Sequence, residues 1–488
     1  MEKIIKFFYQ HGLLVLIILI GGFFRFYRLP ETLQFLGDQG RDALVWLRIF
    51  TEKDLPFIGP ITSVGNFYLG PLYYYLMAPW LWLFNFDPVG PAYVNAFIGL
   101  ITIPALYFVS LKMFSHSVGL IASFLYAFGS IPVLQTRGAW NPNPMPLVAL
   151  GIIYSLYQLV IKRQKKWLLG LTFFLVIALQ LHYIILFLFP FLGWQFIRLP
   201  KKSFFNRYFW WSVAILIIFN LPLILFEVKN NFVNLKGLVY YFQSSGYNQF
   251  NLFQKLRDIN GRSEEAIGLV LGFGQAYSLL RLWITRIILI GIILILIKFP
   301  SRPLTLLVQY LFISILALVF YRGSMFPHYL GFLYPAVFLL VGLILSKFPF
   351  KLIFIPLIFI GLFLKVNLGV LKTELIDSRG NLATVKLTAS RIAADLDKHN
   401  YPSFNLVLID GTHDYRAMNF RYFLELNGKK ALDVNDYSNA VAVYVISPYP
   451  QVDVTNIPIW EIKSTWPSRE TEKWEFKDSE NIYKIEKI

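Results

Sequence analysis

The 488-residue chain contains no cysteine, so neither disulfides nor thiolate-bound metals contribute to its stability or chemistry. Charged side chains make up only 15% of it, against about 25% in an average soluble domain. That deficit excludes an ordinary cytosolic enzyme and a disordered chain. Acids are the scarcer sign, 28 Asp plus Glu against 45 Lys plus Arg. No Gly-rich phosphate loop precedes a helix, which removes a nucleotide site of the P-loop or Rossmann kind. No His/Asp cluster has metal spacing, so no cofactor is expected, although a divalent ion stays possible. What is abundant is apolar: 56% of residues are hydrophobic and 18% aromatic. These proportions require a polytopic membrane protein.

The charge is unevenly placed. Residues 1–370 carry thirty basic and eleven acidic side chains, and residues 371–488 carry fifteen and seventeen. The basic excess lies in short loops between apolar runs, as the positive-inside rule describes, so no nucleic-acid partner is implied. Apolar runs near the length of a bilayer crossing fall at about 5–27, 67–86, 90–111, 117–135, 145–161, 167–181, 182–198, 209–226, 283–298, 303–320, 329–346 and 351–369. The first reads as an uncleaved signal anchor. Placing Lys3, Lys6, Lys162–Lys166, Lys201, Lys202, Arg207, Lys298, Arg302, Lys347 and Lys351 in the cytoplasm leaves 28–66, 136–144, 228–282 and 321–328 outside. Parity then requires that 67–86 and 90–111 together make one crossing, with 67–86 re-entrant or interfacial.

The expectation is therefore a mainly α, polytopic domain over 1–370 with about 11–13 helices and its first outside loop at 28–66. A small extracytoplasmic α/β domain follows over 371–488. The N-terminus is placed in the cytoplasm and the protein in the plasma (inner) membrane. In the tail, Leu387–His399 and His413–Leu426 have helical spacing. Phe404–Asp410, Asn439–Ser447, Ile457–Ser464 and Trp474–Ile488 read as strands.

Acids are nearly absent from the spans, which argues against an ion-coupled carrier. The polar groups with chemistry collect on one side. The first outside loop reads Gly37-Asp38-Gln39-Gly40-Arg41-Asp42-Ala43, and a carboxylate there can act as a base toward an acceptor hydroxyl or amine. Asp38 or Asp42 could equally cap a helix over Ala43–Phe50 while Arg41 snorkels. Arg137, ahead of the stiff Trp140-Asn141-Pro142-Asn143-Pro144 connector, could hold a phosphate or anchor a span at the interface. His182 with Tyr183, and Arg322 with His328 and Tyr329, fall on the same side, and together these bases suit an anionic headgroup. Each histidine taken alone could be a packing residue. Glu227 could bind a sugar hydroxyl or pair with Lys229.

These residues resemble the GT-C membrane glycosyltransferases, specifically the family of protein O-mannosyltransferases and aminoarabinose lipid A transferases (glycosyltransferase family 39-like). The resemblance rests on the acidic first loop, on Gly70-Pro71-Leu72-Tyr73-Tyr74-Tyr75-Leu76, on Arg137 with Trp140–Pro144, on Gln180-Leu181-His182-Tyr183, and on His328-Tyr329 leading to Leu333-Tyr334-Pro335. It covers roughly residues 5–370. It implies a polyprenyl-phosphate sugar donor, used on the extracytoplasmic side by one inverting displacement. Asp38 matches the family's essential first-loop acid, and Asp42, one turn on, is the nearest second carboxylate. Arg41, Arg137, His182, Arg322, His328 and Tyr329 are the implied donor phosphate and lipid contacts, with Asn141, Tyr183 and Glu227 toward the substrate. Two features depart from the family pattern. No base precedes Pro71-Leu72, and Gln39 replaces the usual second acid. The acceptor is a protein, a lipid or a glycan. The rival readings are a flippase for lipid-linked sugars and an inactive scaffold of the same fold.

Overall fold

The computed structural model describes residues 2–62, 67–198, 206–243, 252–321, 323, 325–376, 382–411, 414–449, 452–476 and 480–488. The chain divides into two compact units. The first comprises Met1–Tyr27, Leu55–Met77 and Pro91–Leu375; the second comprises Arg28–Asp54, Ala78–Gly90 and Ile376–Ile488.

The first unit is helical. Among the described residues, four helices are long and apolar enough to cross a membrane: Val89–Met113, Arg207–Lys229, Gln275–Lys298 and Phe354–Glu374. A pair bent by 61°, His116–Phe128 with Ser130–Thr136, passes the same test when taken together. Six shorter apolar helices accompany them, beginning with His11–Phe26. Within 67–86, expected to be re-entrant or interfacial, the helix is Leu72–Leu83. At about 1.5 Å per residue it is roughly 18 Å long, short of a hydrocarbon core of about 30 Å.

Breaks in these helices have identifiable causes. Gly129 is extended (φ −63°, ψ 124°) and ends the helix before it. The freed Ser130 N–H and Oγ–H both donate to Asn367 Oδ1, at 2.7 and 2.8 Å. Asn367 is fully buried and donates in turn to the carbonyls of Leu271 and Phe363. A broken helix is tolerated at membrane depth only where such a side chain satisfies the backbone.

The second unit is an α/β layer. Strands β1 (Phe404–Leu408), β2 (Ala442–Ser447), β3 (Ser468–Trp474) and β4 (Asn481–Lys487) form one sheet in the order β1-β2-β4-β3. The β1–β2 pair is parallel, with Leu406 opposite Tyr444, and the other two pairs are antiparallel. A parallel pair needs a crossover, supplied here by a connection containing the helix Met418–Leu426. Val407, Val443, Val445, Tyr483 and Ile485 bury one core with Val454 and Ile462.

One expected strand is absent. Within Ile457–Ser464, Trp460–Lys463 forms a single helical turn that puts Ile462 into the core. The strand is instead Ser468–Trp474, whose Ser-Arg-Glu-Thr-Glu-Lys-Trp sequence lacks an apolar pattern. It lies at a sheet edge, where charged side chains face water and guard against further pairing.

Candidate active site

The acidic loop belongs to the second unit. Its helix runs from Gly37 to Thr51, six residues earlier than the apolar spacing alone suggests. Neither aspartate caps it. Gln39 Oε1 accepts the Leu36 N–H at 3.0 Å, and Asp38 lies in the first turn, where the helix dipole favours an acid. Arg41 joins the two carboxylates. Its Nη1 donates to Asp38 Oδ1 at 2.6 Å, while Nε and Nη2 donate to Asp42 Oδ1 at 3.0 and 2.9 Å. Burial separates their roles: the Asp42 side chain is 0% exposed and that of Asp38 is 47% exposed. Asp38 is the more exposed carboxylate, and Asp42 holds the arginine that orients it.

Glycine explains how this helix is seated. A Cβ on Gly40 would lie 2.3–2.5 Å from backbone atoms of Met418 and Asn419, so only glycine permits this approach to the helix Met418–Leu426. Asn419 Nδ2 donates to the Phe35 carbonyl at 3.0 Å, and Arg48 forms a two-pronged bond to Glu425 at 3.1 and 3.0 Å. The loop is thus clamped by residues some 380 positions later. Asp414 lies against Gly37, where a Cβ would come within 1.9 Å of its Oδ2. Its carboxyl is held above the usual range by desolvation and then by the Asp38 charge. Sequence spacing gave no sign that this acid lies beside Asp38; its neighbour His413 lies outside the described residues.

The other site residues belong to the first unit. A cavity of about 460 Å³, almost wholly apolar, is lined by His182, Tyr183, Phe187, Tyr241, Tyr321 and Tyr329, among others. His182 sits in an extended turn (φ −166°) between two helical segments, and its Nδ1 accepts the Ile184 N–H at 3.1 Å. The neutral ring therefore carries its proton on Nε2. The His328 ring packs against Trp140 (4.1 Å, tilted) and Tyr329 (4.4 Å, edge-on) and stacks on Phe326 (5.6 Å), with the His182 ring 6.4 Å away. Burial lowers His182 to about 4. Burial, and then the neighbouring His182, lowers His328 to about 3. Both rings are uncharged at neutral pH and offer hydrogen bonds rather than positive charge.

The remaining candidates hydrogen-bond to backbone groups. Arg137 is buried, and its Nη1 donates to the carbonyls of Phe24 (2.8 Å) and Arg25 (3.1 Å), its Nη2 to that of Tyr27 (3.0 Å). It thereby satisfies the last carbonyls of the N-terminal helix, which have no partner within that helix. Glu227 accepts the N–H groups of Asn234 and Leu235, both at 3.0 Å, and so caps the helix Val233–Gln243. Tyr183 Oη donates to the Tyr68 carbonyl at 2.9 Å, and Asn141 Nδ2 to that of Leu181. Gln180 Oε1 accepts the Leu72 N–H at 3.1 Å, and a Cβ on Gly70 would strike the same oxygen at 2.4 Å. Arg322 lies outside the described residues. A cation that spacing did not suggest is Arg262, which donates to the Tyr321 carbonyl at 3.0 Å and pairs with Glu265 at 2.8 Å.

One group in the second unit has the donor set of a metal site: Asp395, His399 and Glu472. Sequence spacing missed it because the first two are one helical turn apart and the third comes from β3. Lys484, buried between them, donates to Asp395 Oδ2 at 3.1 Å and Glu472 Oε1 at 2.8 Å. The ammonium supplies the positive charge a cation would bring, so the residues do not fit a metal.

Comparison with known proteins gives the fold. Residues 69–226 match the model of the dolichyl-phosphate-mannose-protein mannosyltransferase family. No curated protein matches the chain. ArnT from Cupriavidus metallidurans in the apo state is similar with a TM-score of 0.62 at 12% identity, over 98% of each chain. The same protein bound to undecaprenyl phosphate gives 0.59 at 12% identity, over 97% of this chain and 98% of that one. The archaeal oligosaccharyltransferase AglB from Archaeoglobus fulgidus, in complex with an inhibitory peptide and a dolichol-phosphate, gives 0.53 at 12% identity over 90% and 70%. The chain has the fold of the GT-C membrane glycosyltransferases, a helical membrane domain with a small strand-containing C-terminal region.

Proposed function

We propose that this protein is an integral-membrane glycosyltransferase that moves a monosaccharide from a polyprenyl-phosphate donor to an extracytoplasmic acceptor, with Asp38 as general base. The observation that carries the reading is the exposed Asp38 carboxylate, oriented by Arg41 against a buried Asp42, on a chain whose fold is that of ArnT. The acceptor O–H or N–H gives its proton to Asp38 as its heteroatom attacks the anomeric carbon. The bond from that carbon to the phosphate oxygen breaks, and its electron pair leaves with the lipid phosphate. A single displacement from the opposite face inverts the anomeric centre.

The aromatic cavity of the first unit suits the isoprenoid portion of such a donor, because its lining is almost entirely apolar. ArnT in its solved complex holds undecaprenyl phosphate. Here we assign the phosphate contacts to His182 Nε2–H, as a neutral donor, and to Arg262. The C-terminal region contributes by seating the Asp38 helix, and we assign it a part in shaping the acceptor site.

The test is transfer from radiolabelled polyprenyl-phosphate sugars by purified protein, beside Asp38→Asn. The expected result is release of polyprenyl phosphate by the native protein and a loss of at least 100-fold in the variant at unchanged donor affinity, as for removal of a general base (roughly 10²–10⁴). Full turnover by the variant would remove Asp38 from the reaction. Donor binding without turnover by either form would favour a lipid-linked-sugar carrier.

A further inference from the structure

The helices Phe189–Ile197 and Arg302–Leu318 pack on one another, and their opposite ends frame different cavities. One pair of ends, near Phe187, Pro190, Ala317 and Tyr321, borders the aromatic cavity. The other pair borders a second cavity of about 610 Å³. Three arginines line it from three separate segments: Arg163 in a loop, Arg198 just after the helix Phe189–Ile197, and Arg302 at the start of Arg302–Leu318. No Asp or Glu lines it, and among the described residues no carboxylate pairs with any of the three. Its wall is otherwise apolar (Val160, Ile161, Leu306) or neutral, with the buried Gln195 donating to Gln309 Oε1 at 2.9 Å. The N-terminus of the 17-residue helix Arg302–Leu318 opens here too, adding the positive end of its dipole.

Three exposed arginines around a cavity that no acid lines, with Arg198 also lying over the Trp194 ring at 4.8 Å, give it a positive potential that attracts an anion. Arginine suits phosphate in particular, because its fork of N–H groups meets two oxygens at once. The apolar wall distinguishes a lipid from a free ion, since it gives the chains attached to the phosphate a surface to lie on. We propose that this cavity binds the phosphate headgroup of an anionic membrane lipid, at the ends of the two helices remote from the aromatic cavity. The basic segments 162–166 and 298–302, which the positive-inside rule places at the cytoplasmic surface, face the leaflet where such lipids are plentiful.

The experiment uses the full chain in neutral detergent, with phosphatidylglycerol or phosphatidylcholine added and bound lipid counted by native mass spectrometry. Native protein is expected to retain phosphatidylglycerol and not phosphatidylcholine. The combined variant Arg163→Gln, Arg198→Gln, Arg302→Gln is expected to lose that retention by on the order of 100-fold. Thr305→Glu tests the same cavity without removing an arginine. It sets an acid in the first turn of the helix, where the dipole favours it, so the fold is kept while the anion is repelled. Displacement by millimolar inorganic phosphate would confirm a phosphate-group site and identify the free ion as its occupant. Equal retention of both lipids, or undiminished phosphatidylglycerol in Thr305→Glu, would overturn the proposal.

Discussion

Replacing Arg137 by methionine separates a helix clamp from a phosphate ligand. The guanidinium is buried and makes three hydrogen bonds to the final carbonyls of the N-terminal helix. Hydrogen bonds from a charged donor contribute about 1.5–3 kcal/mol each, and a buried carbonyl left unpaired costs about 1–3 kcal/mol. Methionine offsets part of this loss, since an apolar side chain no longer has to be desolvated with its charge. A net destabilisation of about 3 kcal/mol follows, or roughly 6 °C at about 2 °C per kcal/mol for a large chain. Tryptophan fluorescence of the purified protein during heating reads the shift, and donor affinity is measured on the folded fraction. The clamp predicts a lower midpoint with affinity changed less than twofold. An unchanged midpoint with affinity weakened tenfold or more would refute the reasoning and give the guanidinium to the phosphate.

The two depressed histidines make stability depend on pH. Their folded values, about 4 and 3, lie below an unfolded value near 6.5, so the unfolded chain binds protons first as pH falls. Their contribution is intact above about pH 6.5 and is lost toward pH 4, reaching about 2 kcal/mol per ring at pH 5. The melting midpoint should fall between pH 7.5 and 5, and His328→Phe should flatten that fall. Gly40→Ala forces a methyl group onto the backbone at Met418 and Asn419. It should cost the second unit about 3 kcal/mol, seen as faster proteolysis within residues 376–488. Lys484→Met leaves Asp395 and Glu472 without their buried cation, and chemical denaturation should report a loss of about 3–5 kcal/mol. Added zinc should stabilise that variant and not the native protein.

Composition alone determined that this is a polytopic helical membrane protein with a less apolar tail, because burial in lipid demands long apolar runs wherever the chain crosses. The acidic motif around Asp38 was visible in the sequence because its three charges lie within five residues. Period and length also pointed to a helix at Leu387–His399, which the structure begins five residues earlier at Leu382, and to strands β1 and β2. The polar edge strand Ser468–Trp474 was not legible, since none of its residues is buried and an exposed edge strand needs no apolar pattern. Only the tertiary structure set the roles of the charged candidates. Arg137 and Arg262 look alike in sequence, yet one is bound to the carbonyls of a helix end and the other to a carbonyl beside the aromatic cavity. Likewise Asp38 and Asp42 are four residues apart, and burial leaves one half-exposed and closes the other off from solvent. A residue's type states which bonds it can make. Which partners come within about 3 Å is decided by segments hundreds of residues away, and no local pattern carries that information.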